Sequence, residues 1–183
     1  LLREIKNYNF GADVVSQGEL MKALKAGIPS QKIVFSGVGK TDKEIEYALK
    51  KNILLINTES KSEILAIEKI AKKNKKVVNI GIRLNPNTDA LTLSQISTGK
   101  KENKFGVDQK IFLQLVDYLK NSKYLNLKCL SVHIGSQILN QKPYQNMLKV
   151  IDGIIKKSNY NFEYIDLGGG MGIDYTHNKS KLD

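Results

Sequence analysis

Six short runs rich in β-branched and other apolar residues recur along this chain, each followed by a stretch with helical spacing. That rhythm limits the folds open to it. The runs are residues 12–15, 32–36, 53–57, 77–84, 127–134 and 162–167. They are near-continuously apolar, as strands buried on both faces of a parallel sheet are. Between them, Met147, Val150, Ile151, Ile154 and Ile155 form an i, i+3, i+4, i+7 stripe, and Phe112, Leu115, Val116 and Leu119 form another. Helix starts are marked by Ser16 with Glu19, Thr41 with Glu44 and Ser60 with Glu63, all at capping-box spacing. Gly27 sits where a helix should stop. Six strands alternating with five helices predict an α/β fold with a parallel sheet.

The 183 residues suffice for one full domain and are short for two. With 41% hydrophobic and 26% charged residues the composition is globular, which excludes disorder and collagen-like structure. No stretch approaches the roughly 18 apolar residues of a membrane span. The single cysteine, Cys129, excludes an internal disulfide and a zinc ribbon, and fits a reducing compartment. The chain opens Leu1-Leu2-Arg3 with no Met and no secretory signal, and reads as a piece of a longer protein. With three Pro and no low-complexity linker, no internal domain boundary is expected.

A net charge of +11 raises a nucleic-acid reading. Its make-up argues otherwise, because only Arg3 and Arg83 are arginine among 29 basic residues, and Arg is the residue suited to bidentate phosphate and base contacts. The lysines are spread out, apart from Lys72, Lys73, Lys75 and Lys76, and read as solvated faces.

Chemistry should gather at the carboxyl ends of the strands, the ligand face of parallel α/β folds. The connection from Asn85 to Gly106, roughly 22 residues, lacks clear periodicity, and loops of that length are usually functional. Gly37-Val38-Gly39-Lys40-Thr41 mimics a P-loop tail, but Val34 stands where the first Gly belongs, so Thr41 is better read as an N-cap. Gly168-Gly169-Gly170-Met171-Gly172 is not a dinucleotide fingerprint. Three consecutive glycines still let backbone N–H groups approach an anion such as phosphate; a tight turn without ligand is the alternative. His133 ends a strand, with Ser136 three residues on; it could stack on a ring while Ser136 binds a phosphate, or be a hydrogen-bonded core histidine. Arg83 suits a site or a structural ion pair. Asp13 lies in an apolar strand and reads as a buried carboxylate, which needs a partner, catalytic or structural. Glu19 is explained by its capping role. His177 has no assigned role.

Taken in order, Gly11-Ala12-Asp13-Val14-Val15-Ser16, Phe35-Ser36-Gly37-Val38-Gly39-Lys40-Thr41, Arg83-Leu84-Asn85-Pro86, Ile96-Ser97-Thr98-Gly99, Asn103-Lys104-Phe105-Gly106, His133-Ile134-Gly135-Ser136-Gln137 and Asp166-Leu167-Gly168-Gly169-Gly170 resemble the diaminopimelate decarboxylase family. These are fold-type III enzymes that use pyridoxal 5′-phosphate. The resemblance covers essentially the whole chain. It implies an alanine-racemase/ornithine-decarboxylase-like (β/α)8 barrel, incomplete here, with about strands two to seven present in residues 1–183. The first and last barrel strands and a C-terminal β domain are not expected in this chain. It further implies that His133 stacks on the cofactor ring and that Ser136, Gly168, Gly169 and Gly170 hold its phosphate. Arg83 would stand beside the ring, and Asp13 and Glu19 would match acidic positions near the Schiff-base lysine. The implied reaction is decarboxylation of meso-2,6-diaminopimelate to L-lysine and CO₂ by a cytoplasmic homodimer, with no metal, nucleic-acid or membrane partner. None of Lys6, Lys22 or Lys25 sits in the family's lysine motif, so the chain alone is expected to be inactive. With two open sheet edges, it is also expected to aggregate or stay molten when expressed alone. The Leu91-Thr92-Leu93-Ser94-Gln95 stretch departs from the family's usual Thr-His-Pro-Tyr. A sister decarboxylase acting on arginine, ornithine or a polyamine precursor, and a non-catalytic remnant or pseudoenzyme, are the alternatives.

Overall fold

The computed structural model describes residues 1–88, 105–173 and 175. Helix α1 (Leu2–Asn7) leads into β1 (Ala12–Val14), α2 (Gln17–Lys25), β2 (Ile33–Phe35), α3 (Asp42–Lys51), β3 (Leu55–Thr58), α4 (Lys61–Lys73) and β4 (Val78–Arg83). After the long connection come α5 (Gln109–Leu119), β5 (Leu125–Ser131), α6 (Gln141–Ser158) and β6 (Tyr164–Asp166). The strands form one sheet in the order β1-β2-β3-β4-β5-β6, every neighbouring pair parallel. The alternation of strands and helices in a parallel sheet is what the sequence pattern predicts, and the curl of that sheet into part of a (β/α)8 barrel, helices outside, is what the resemblance implies.

The caps work as their spacing implies, with one variation. At α3 the box is complete: Thr41 Oγ1 accepts from Glu44 N and the Glu44 carboxylate accepts from Thr41 N. At α2 and α4 the N-cap serines accept in the same way, but the glutamates reach one residue further back, to Val15 N and Glu59 N. Asn52 and Asn159 end α3 and α6 in the left-handed conformation, a geometry Asn tolerates. The six-residue α1 buries nothing, so no apolar stripe marks it and the expected helix count falls one short.

The core lies between the sheet's convex face and the helices. Ile33, Phe35, Ile56, Ile80, Ile82 and Leu130 pack there against Leu20, Ile45, Ile64, Ile67, Phe112 and Met147, all essentially solvent-free. Each such side chain contributes about 1.5–3 kcal/mol by leaving water. The expectation of strands buried on both faces holds in the middle and fails at the margins. β3 is buried at all four positions, whereas β6 is largely exposed, because β1 and β6 each pair on one side only. The concave face is polar, carrying Asp13, Ser36, Asn57, Arg83, Ser131 and Asp166 around one cavity. Among the described residues no helix is long and apolar enough to cross a membrane.

Candidate active site

A cavity of about 380 Å³ opens on the concave face at the carboxyl ends of the strands. Two roomier recesses, each about 800 Å³, lie elsewhere: one between α4 and α5, the other beside the N-termini of those helices. Neither combines the imidazole, guanidinium and glycine loop that line the smaller one. Its wall includes Asp13, Asn57, Glu59, Arg83, His133 and Asp166, with Gly168 and Gly169 at one end.

Arg83 ends β4 and donates from Nη1 to Glu59 Oε1 at 2.9 Å, both side chains nearly buried. Its guanidinium also lies 4.9 Å from the centre of the Phe105 ring. The other Glu59 oxygen accepts from Gly106 N at 2.9 Å, and Val107 N bonds to the Arg83 carbonyl. The two ends of the long connection are thereby fastened beside Arg83. The ion-pair reading of Arg83 holds, and the paired side chain also lines the cavity.

His133 is half-buried and faces the same space. Burial, and next the Arg83 charge, push its pKa below the usual imidazole range; Asp166 and Glu59 pull the other way. Its Nδ1 accepts from Gly169 N at 3.3 Å. Asp13, expected to be buried, has an open surface at the sheet margin. It is nonetheless walled in enough by the concave face that desolvation raises its carboxyl pKa; a Ser36 hydrogen bond opposes this, and the Asp166 charge adds to it.

The glycine loop is shaped by close approach. Gly168 has φ +68°, and a Cβ there would stand 2.6 Å from His133 Nδ1. Gly170 has φ +97°, and its Cβ would stand 1.8 Å from the Gly135 carbonyl oxygen. Glycine is required at both. Gly169 faces open space. The Gly168 and Gly169 N–H groups donate inward, to Asp166 Oδ1 and His133 Nδ1. Gly170 backs onto the turn that carries the exposed Ser136.

The structure therefore gathers Asp13, Arg83, His133, Gly168 and Gly169 in one cavity; Gly170 and Ser136 are not among the residues that line it, and Gly170 packs instead against the Gly135 carbonyl. Glu19 stands apart at the start of α2, bonded to Val15 N. Glu59, Asn57 and Asp166 carry no role in the sequence reading. Asp166 was in view beside the glycines; Glu59 follows the fully apolar start of β3 without any local signal. Lys40, the P-loop mimic, is a clamp: its Nζ donates to the Gly37 and Asn57 carbonyls and to Glu63 Oε1, at 2.5, 2.7 and 2.7 Å. The segment Ile96-Ser97-Thr98-Gly99, with Leu91-Thr92-Leu93-Ser94-Gln95, Asn103, Lys104 and His177, lies outside the described residues. Among the described residues no group of three or more His, Cys, Asp or Glu gathers as a metal site, and no lysine lines the cavity.

The family described as pyridoxal-dependent decarboxylase, pyridoxal binding domain, matches residues 1–183. The diaminopimelate decarboxylase of Campylobacter jejuni is 41% identical over 186 residues, covering 100% of this chain and 46% of the relative. That of Helicobacter pylori strain J99 is 45% identical over 184 residues, covering 98% and 45%. The crystal structure of the Helicobacter pylori enzyme complexed with L-lysine superposes with a TM-score of 0.90 at 43% identity, over 97% of this chain and 46% of that one. The chain thus spans less than half the length of these relatives.

Proposed function

This chain belongs to the pyridoxal-dependent decarboxylases, matching their pyridoxal binding domain, and from that premise we propose that it is the cofactor-holding part of an enzyme that decarboxylates meso-2,6-diaminopimelate to L-lysine and CO₂. The observation that carries the reading is the junction of His133 with the glycine loop: a half-buried imidazole, held toward its neutral form, directly against Gly168 and Gly169. The residues fit a flat, phosphorylated pyridine. His133 offers a ring face, Gly169 leaves open space in front of it, and Gly168 and Gly170 are pressed so closely against His133 and the Gly135 carbonyl that no Cβ fits. Ser136, beside Gly170, offers a hydroxyl for the phosphate.

When bound, pyridoxal 5′-phosphate supplies the electron sink for the carbanion left by CO₂. The chain's own contribution is placement. His133 would stack on the cofactor ring, its lowered pKa favouring the neutral imidazole. Arg83, fixed by Glu59, presents its guanidinium to the same cavity. Asp13 and Asp166 line the same cavity, and burial raises the Asp13 carboxyl pKa, so that it takes a proton more readily than an ordinary aspartate. We further propose a homodimeric, cytoplasmic enzyme whose partner is a small amino-acid substrate rather than nucleic acid or membrane. With no lysine lining the cavity among the described residues, the chain by itself does not turn over substrate.

The test has two parts. The 183-residue chain and the gene's whole product are each titrated with pyridoxal 5′-phosphate, and CO₂ release from meso-diaminopimelate, arginine and ornithine is then measured. Cofactor uptake together with release from meso-diaminopimelate by the whole product alone is expected. Release from arginine or ornithine instead would overturn the substrate, and failure to take up the cofactor would overturn the site.

A further inference from the structure

The concave face carries a polar chord that no local pattern announces. Asn57 on β3 donates from Nδ2 to Asp166 Oδ2 on β6 at 2.8 Å, passing over β4 and β5. In a flat sheet three strand spacings would hold those backbones roughly 14 Å apart, so the contact exists only because the sheet curls. The path is clear because residue 81 is glycine: a Cβ there would lie 2.1 Å from Asn57 Oδ1. Asn57 is 1% exposed, and its amide is oriented by two acceptors, Asp166 Oδ2 and Ser36 Oγ.

Asp166 passes this fixation on. Its Oδ2 also accepts from Ser131 Oγ at 3.0 Å, and its Oδ1 accepts from Gly168 N at 2.8 Å. With Gly168 held, the next N–H, that of Gly169, points at His133 Nδ1. An Nδ1 that accepts leaves the proton of a neutral imidazole on Nε2. We infer that Asp166, braced by Asn57 and Ser131, is a positioning residue that sets both the path of the glycine loop and the tautomer of His133. It touches neither ring nor phosphate in this assignment; it acts through Gly168, Gly169 and His133. Its consequence for cofactor binding rests on the pyridoxal reading above, whereas its consequence for the imidazole does not.

The experiment separates the two. In the cofactor-free form of the gene's whole product, histidine ring ¹⁵N shifts, with the His133 signals assigned by their loss in His133→Gln, report the tautomer. In the gene's whole product, pyridoxal 5′-phosphate affinity is measured alongside. Asp166→Asn is expected to replace the single Nε2–H tautomer with a mixture. It should also weaken cofactor binding by about tenfold or more, the range of one hydrogen bond to a charged group. The exchange Asn57→Asp with Asp166→Asn restores a donor facing an acceptor along the chord, and should recover both readouts in large part. Where Asp166→Asn does not fold, Ser131→Ala carries the test, with a smaller shift in the same direction. An unchanged tautomer and unchanged affinity in the folded variants would overturn the assignment. Loss of the tautomer in a protein that never takes up pyridoxal 5′-phosphate would uphold Asp166 as the positioning residue of His133 and sink the pyridoxal reading instead.

Discussion

Replacing Gly81 by alanine is the sharpest perturbation this fold offers. The new Cβ would lie 2.1 Å from Asn57 Oδ1 and 2.9 Å from Cys129 Cβ. Asn57 cannot simply turn aside, because its Nδ2 is tied to Asp166 and Ser36. Either the strands part or the chord breaks. Overpacking typically costs about 1–3 kcal/mol, and the lost hydrogen bond to a carboxylate about 1.5–3 kcal/mol. Against these stands a gain of about 0.5–1 kcal/mol from restricting the unfolded chain. A net loss of about 3 kcal/mol is expected in urea unfolding followed by circular dichroism. With Asn57→Ala already in place, the 2.1 Å contact has no partner and the same Gly81→Ala change should cost about 1 kcal/mol. The cycle thus predicts a coupling of about 2 kcal/mol. Additive effects, agreeing within about 0.5 kcal/mol, would refute the claim that Gly81 exists to let Asn57 pass.

Three further outcomes follow from other parts of the molecule. Lys40→Ala leaves the Glu63 carboxylate and two carbonyls without their shared donor in a site where the lysine side chain is 1% exposed; a loss of about 3–5 kcal/mol in unfolding free energy is expected. Adding Glu63→Gln to Lys40→Met, which keeps an acceptor for Glu59 N–H, should recover part of it, and no recovery would remove the ion pair from the account. Cys129 is 1% exposed, and burial pushes its thiol up to about 12. Iodoacetamide at pH 8 should therefore modify it only as fast as the protein unfolds, and rapid labelling of the native state would contradict its burial. His133 is disfavoured as a cation in the folded state, so stability is full above its ordinary value of 6.5 and is lost as pH falls below it. The urea midpoint should drop between pH 7.5 and 5.5, less so in His133→Gln; an equal drop in both would assign the effect elsewhere.

The strands were legible in the sequence because each is a short β-branched run, and their observed limits differ from the expected ones by a residue or two in most cases. The caps were legible because Ser or Thr three residues ahead of Glu is a local arrangement. What stayed hidden was non-local. Asn57 and Asp166 meet across 109 positions, and Glu59 binds Gly106 across 47; neither pairing leaves a trace in spacing. Asp13 was read as a buried carboxylate because its neighbours are apolar, yet alternation along β1 turns it to the open concave side. Helix α1 escaped notice for the opposite reason: with nothing to bury, it has no stripe to read.

The unequal cover of the strands has a consequence for how the site behaves in time. β3 and β4 are hydrogen-bonded on both sides and packed beneath helices, while β1 and β6 hold a neighbour on one side only. Local opening is easiest where few apolar contacts and unpaired backbone coincide. Glu59 and Arg83 grow from the hard centre of the sheet, whereas Asp13 and residues 166–170 ride on its soft margins. In the 183-residue chain taken alone, amide hydrogens of the glycine loop therefore exchange ahead of those beside Glu59 and Arg83. A further strand hydrogen-bonded to β6 would close that gap, so the stiffness of the loop belongs to whatever lies against the margin rather than to the loop itself.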